Sequence, residues 1–361
     1  MKWTLTHTAA LALSLAPLSA AATDTAPSNT EASNTQVSAT QIELRFQTLR
    51  DFDLSLPAER FVPIAETLPF SGVPSGALRV EVTDDGLSFD RDGDGQLDAT
   101  VTEPDEDHPT RLVTFRLADG TEYAVRVKHD GPWAAAPGGA MVGRVGDERI
   151  AILDQNGNGR FDDFGADAMV IGRGKVAGFL SKVVPLGGEL FELSISPNGR
   201  EASFTPYTGA TGTLDLSTDF ETKAKLRSVV LTEVGGELSF ELSGAVASKE
   251  AVRLPAGEYR LHSGEIVLGK SHATLTPGRS AAISVPASGK AAFAWGGPVS
   301  AEFRYERGGG KLQIGPSDIE YYGRAGEVYS NFMPLGSSPK FEVKEKATGK
   351  VLVDMVFPGN C

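Results

Sequence analysis

Apolar and polar residues alternate with a period of two along this chain from residue 41 onward, a pattern that excludes a helical architecture. Ile42, Leu44 and Phe46 alternate with Glu43 and Arg45. Val113, Phe115 and Leu117 alternate with Thr114 and Arg116, and Leu238, Phe240 and Leu242 with Ser239 and Glu241. Ile283 and Val285, then Phe341 and Val343, repeat the pattern. Successive side chains of a strand point to opposite faces, so such runs predict half-buried strands. Asp119-Gly120, Pro197-Asn198-Gly199, Gly235-Gly236 and Thr348-Gly349 punctuate them. Glycine and asparagine reach positive φ cheaply, which suits tight hairpin turns. No long run has 3.6-residue periodicity, and residues 57–67 allow one or two helical turns. The expected fold class is all-β, with two or three sandwich-like domains.

Composition bounds the partners. The 361 residues carry 34 basic and 47 acidic side chains, a net charge of −13. An acidic surface repels phosphate, so nucleic acid is not an expected partner. A hydrophobic content of 40% is enough to build cores. The single cysteine excludes an internal disulfide framework and any all-cysteine metal site.

The N-terminus predicts export. Lys2 precedes an Ala/Leu-rich run from Ala9 to Ala22, and small residues fit cleavage after Ala21 or Ala22. No later stretch approaches about 18 uninterrupted apolar residues, so no membrane span is expected in the mature chain. The expected location is periplasmic or extracellular. Residues 1–22 read as the signal and 23–40, mostly Thr, Ser, Ala and Asn, as a flexible leader. The remainder divides into 41–220, 221–298 and 299–361: a first β domain, a sandwich-like domain and a small Ig-like β domain. The last is short enough to pack on the one before it.

Two acidic loops carry the sharpest chemistry. The first is Asp90-Arg91-Asp92-Gly93-Asp94-Gly95-Gln96-Leu97-Asp98. Oxygen side chains stand at positions one, three, five and nine, with glycine at six. A calcium ion takes six to eight hard oxygen ligands, and alternate residues of a tight loop can turn inward to supply them. Asp90, Asp92 and Asp94 offer carboxylates, Gln96 its carbonyl, and Asp98 binds directly or through water. The second loop is Asp154-Gln155-Asn156-Gly157-Asn158-Gly159-Arg160-Phe161-Asp162. Asp154, Asn156, Asn158, Arg160 and Asp162 repeat the ligand positions with less charge, which predicts weaker binding. Charge crowding supports an ion. Residues 81–107 hold eleven acids and one base, and 151–170 four acids and one base. The two segments together equal the net charge of the whole chain, and such crowding is repulsive unless a divalent cation relieves it.

Both loops resemble the calcium loops of EF-hands, dockerins and integrin-type propeller repeats, over nine residues each. The resemblance implies Ca2+ and says nothing of the fold. Position twelve, where an EF-hand loop wants a bidentate glutamate, holds Val101 in one loop and Gly165 in the other. Glu103, Asp163 or Asp167 can close the shell instead. The residues around both loops read as strands, so each loop is expected between two strands of the first β domain. In layout the chain resembles uncharacterised bacterial exported proteins with several β domains and DxDxDG loops.

Other constellations are weak. His108, His129, His262 and His272 have no zinc spacing. No G-x-S-x-G elbow, P-loop or dinucleotide fingerprint occurs. Tyr321, Tyr322, Tyr329 and Phe332 form the densest aromatic patch, read as a core, a sugar platform or a protein surface. The expected function is an exported, calcium-stabilised structural or binding module whose partner is a protein or a glycan. The alternative is a secreted glycan hydrolase with unidentified carboxylates. Cys361, the last residue, is expected either to link two chains by a disulfide or to lie half-buried beside the final strand.

Overall fold

The computed structural model describes residues 39–50, 52–65, 79–84, 86–91, 95–116, 122–309, 311–313, 318–332 and 340–356. The expected signal and leader, and Asp92, Asp94 and Cys361, lie outside them. The protein is all-β with several sheets. Among the described residues the one α-helix is a six-residue turn, Ser243–Ser248. No helix among them is long and apolar enough to cross a membrane.

Four antiparallel sheets surround the first core. One has the order Thr40–Glu43, Glu201–Pro206, Glu189–Ile195, Val183–Leu186. A second runs Gly178–Phe179, Ala168–Ile171, Glu148–Leu153, Gly139–Val145, Arg45–Thr48. The expected strand through residues 42–46 thus serves two sheets. It breaks at Leu44, whose N–H leaves the ladder and donates to the Arg200 carbonyl (2.8 Å). Trp133–Pro137 lies between Val62–Pro63 and Glu122–His129, which pairs in turn with Arg111–Arg116. All five residues of Trp133–Pro137 are buried, so period-two alternation could not reveal this strand. The last sheet is Val80–Thr83, Gly86–Phe89, Ala99–Val101. Phe89, Phe115, Tyr123, Val125, Ile152 and Phe204 are among the side chains that fill the space between these sheets. Residues 57–58 form only a turn. Val62 and Pro63 then pair with Ala135 and Ala134, which holds the backbone extended.

A second large core lies between residues 214 and 332. Lys225–Glu233, Gly257–Leu268 and Ser271–Thr276 form the centre of an eight-stranded sheet. Val328–Ser330, Ile319–Tyr322 and Ser300–Phe303 continue it. Trp295 is fully buried, stacks on Phe220 at 4.1 Å and donates its indole N–H to the Leu216 carbonyl (2.8 Å). The aromatic patch belongs to this core: Tyr329 is buried, and Phe332 meets both Tyr321 and Tyr329 edge-on. The two cores touch. The Phe179 N–H donates to Ser239 Oγ (3.1 Å), the Ser239 N–H to Ser181 Oγ (3.0 Å), and Phe179 meets the His262 ring edge-on.

Candidate metal-binding loops

Each acidic loop is the connection of an antiparallel hairpin. The first joins Gly86–Phe89 to Ala99–Val101, with Phe89 opposite Ala99. The second joins Glu148–Leu153 to Ala168–Ile171, with Leu153 opposite Ala168. Position one therefore follows a buried strand end directly, and its carboxylate starts inside the protein. Asp90 and Asp154 are both buried. In each loop the glycine at position six has positive φ, +87° at Gly95 and +79° at Gly159. That conformation turns its N–H back onto position one. Gly95 donates to Asp90 Oδ2 (2.8 Å), and Gly159 to Asp154 Oδ2 (2.6 Å). The shared spacing thus produces a shared turn.

Beyond that turn the loops differ. In the first, Asp98 accepts the Arg91 N–H (3.0 Å), Gln96 is exposed, and Arg79 donates to the Gly95 carbonyl (3.2 Å).

The second loop is built inward. Asp154 Oδ1 accepts the N–H groups of Gly157 (2.8 Å) and Asn158 (3.0 Å), and Oδ2 also accepts the Tyr123 hydroxyl (2.7 Å). Asn156 Oδ1 accepts the Asn158 N–H (3.1 Å), and Asn158 Oδ1 the Arg160 N–H (2.8 Å). Both amide groups donate to Asp163 Oδ2, Asn156 at 2.8 Å. The two asparagines are therefore drawn together by Asp163 and not by Asp162. Arg160 turns its guanidinium to Asp162 Oδ2 (2.8 Å), so position seven offers only its main-chain carbonyl. Asp162 Oδ1 is buried with no hydrogen-bond partner. Phe161, buried between the ligand positions, anchors the loop in the first core and donates its N–H to the Pro197 carbonyl (3.0 Å).

Asp167 is fully buried and accepts the N–H groups of Gln155 (3.2 Å) and Asp163 (3.1 Å). Burial, then the negative charge of Asp154, pushes its carboxyl up to about 8. Burial raises Asp154 as well, and it raises Tyr123 with help from Asp154. Among the described residues no salt bridge reaches Asp154 or Asp167. Nor do three or more His, Cys, Asp or Glu side chains gather there in a metal-holding group. The other side-chain oxygens of the second loop belong to the carboxylates of Asp162 and Asp163 and to the amides of Gln155, Asn156 and Asn158.

Tyr123 and Gln155 had no signal in the loop motif. Tyr123 arrives from another sheet, on Glu122–His129. Gln155 accepts the Ala58 N–H (3.1 Å) and donates to the Ala166 carbonyl (2.7 Å), which ties a distant turn to the loop. Asp163 and Asp167 stood among three candidates, and the structure brings these two to the second loop. Glu103 instead bonds His129 (2.7 Å).

Comparison with family models, with curated proteins and with solved structures gives no match.

Proposed function

We propose that this chain is an exported β protein stabilised by calcium and acting as a structural or binding module for a protein or glycan partner. The buried carboxylates of Asp154 and Asp167 carry this reading. Two carboxylates withdrawn from water and, among the described residues, from every basic side chain must share a proton or hold a cation. The open oxygen of Asp162 and the asparagine carbonyl oxygens, each with a second lone pair, supply neutral and charged donors of the kind calcium selects. Asp154, Asn156, Asn158, Asp162 and the Arg160 carbonyl would hold the ion in the second loop, with Asp163 or Asp167 closing the shell. Asp90, Asp92, Asp94, Gln96 and Asp98 would hold one in the first. The ion's role there is structural: it neutralises the crowded acids and fixes the hairpin connection. The Ala/Leu-rich run from Ala9 to Ala22 supports export, and a single cysteine, Cys361, in an oxidising compartment supports a disulfide-linked dimer.

Extracellular calcium modules bind at ~10⁻⁴–10⁻³ M, so ~1 mM calcium contributes about 0.4–1.4 kcal/mol per site. Thermal melts with calcium and with chelator test the reading. The expected result is a melting temperature several degrees higher with calcium, and superimposable melts overturn it.

A further inference from the structure

An ionised carboxylate offers about four lone-pair sites, and at Asp154 every one of them has a donor. Oδ1 accepts the N–H groups of Gly157 (2.8 Å) and Asn158 (3.0 Å). Oδ2 accepts the N–H of Gly159 (2.6 Å) and the hydroxyl of Tyr123 (2.7 Å). Three of these donors are main-chain groups of the loop itself, and Gly157 and Gly159 stand at positive φ (+72° and +79°). They define the turn and cannot leave without unmaking it. The fourth donor is of another kind. Tyr123 comes from Glu122–His129, in a different sheet, is 2% exposed and stacks on Phe46 with 6.3 Å between ring centroids. Asp154 is 1% exposed, so water cannot take the place of the hydroxyl. Asp162 gives the contrast: its Oδ1 is buried with no partner, and a cation meets no competing donor there.

We infer that Tyr123 sets the calcium affinity of the second loop, because its hydroxyl holds the place on Asp154 that the ion would take. A cation and a hydroxyl proton are both positive partners for the same oxygen, and they repel one another there. For Asp154 to bind the ion directly, the O–H must turn away. The Tyr123 ring is packed in the first core, on a strand whose register sets it opposite Phe115, so the oxygen stays in place and only the proton moves. A buried hydroxyl turned from a carboxylate loses a hydrogen bond of the stronger, charge-assisted kind. That loss is subtracted from the binding of the ion. Tyr123 is therefore not a ligand: it satisfies Asp154 in the ion-free protein and weakens the loop for calcium. No spacing within the loop reveals it, since it stands 31 residues before Asp154. The inference rests on the calcium reading of this loop and adds the residue that tunes it.

Calorimetric titration of calcium into the full-length chain tests it, with Tyr123→Phe compared against its parent. Both carry Asp90→Ala, so that the second loop is read by itself. The dissociation constant should fall about tenfold in Tyr123→Phe. In thermal melts Tyr123→Phe should lie below the parent in chelator, because Asp154 has lost a donor, and should gain more from calcium. A tyrosine with only a structural role would lower both melts alike and leave the dissociation constant unchanged. That result, or weaker binding in Tyr123→Phe, overturns the inference and leaves the calcium reading standing. Binding by Tyr123→Phe where the parent shows none supports both. If neither protein binds calcium, the inference and the calcium reading of this loop fall together. Val113→Ala removes apolar volume from the same core and should leave the constant unchanged. Tightening there equal to that in Tyr123→Phe would trace the effect to a loosened core and overturn the role of the hydroxyl.

Discussion

The loops at 90–98 and 154–162 share their spacing, their place in a hairpin and the position-six N–H bond to a buried aspartate. They part in what surrounds that aspartate. In the first, Asp90 is buried while the described residues Arg91, Gly95, Gln96 and Asp98 are exposed, within a segment of eleven acids, and Arg91 and Asp98 form an exposed ion pair. The second has fewer charges but places two carboxylates in the interior and satisfies Asp154 with four donors from two sheets. Burial counts for more than charge number here. Water screens a crowd of surface acids, whereas two buried acids interact at low dielectric. A cation in the second loop therefore answers a need that solvent cannot meet, although the motif alone predicts the weaker site.

The largest effect expected from breaking this contrast is at Asp154. Asp154→Ala strands the Tyr123 hydroxyl and three main-chain N–H groups in the interior and should cost about 3 kcal/mol or more in denaturant unfolding. Asp154→Asn keeps the shape and removes one of the two buried charges. Its amide nitrogen must face a main-chain N–H that the carboxylate accepted, so in chelator it should be less stable than wild type but lose less than Asp154→Ala, while its calcium-dependent gain in melting temperature disappears. If Asp154→Asn gains as much from calcium as wild type, the buried pair does not hold the ion.

Asp90→Ala tests the other side. It removes the buried acceptor of the Gly95 N–H and should cost about 1–2 kcal/mol, less than Asp154→Ala in the same denaturant series. A larger loss than at Asp154 would reverse the ranking of the two loops.

The smallest effect comes from a buried carboxylate outside both loops. Glu327, in the second core, accepts the N–H groups of Gly296 (2.7 Å) and Ala325 (3.0 Å), and burial raises its pKa above the ordinary range. A raised carboxyl binds its proton more tightly in the folded than in the unfolded chain. Its contribution to stability is complete below the unfolded-state value and is lost as pH rises through the folded one. Asp154 and Asp167 add a calcium-sensitive decline of the same sign, so the test is the part that Glu327→Gln removes, which should be modest and the same with calcium and with chelator. A pH slope unchanged by Glu327→Gln would place the whole effect in the loops instead.

Strand character was legible wherever one face meets the core, because burial on one side imprints alternation on the residues. Val113 and Phe115, Ile283 and Val285, and Phe240 between Ser239 and Glu241 all lie inward as the pattern implies. It failed at Trp133–Pro137, covered on both faces, and it could not show that the run through Leu44 crosses between sheets. The loops were legible because their ligand spacing is local, set by which residues of one turn can face inward.

What the sequence determined by itself is the all-β class and the two hairpin loops, since each follows from neighbours within a few residues. Only the tertiary structure decided that Tyr123 reaches Asp154 from another sheet, and that Glu103, offered to close a shell, bonds His129 instead. It also decided that Val299, Tyr321 and Tyr329 share a core with Leu214 and Leu254. Those outcomes depend on which sheets stack on which. That is set by burying apolar area over the whole chain, and no short run of residues encodes it.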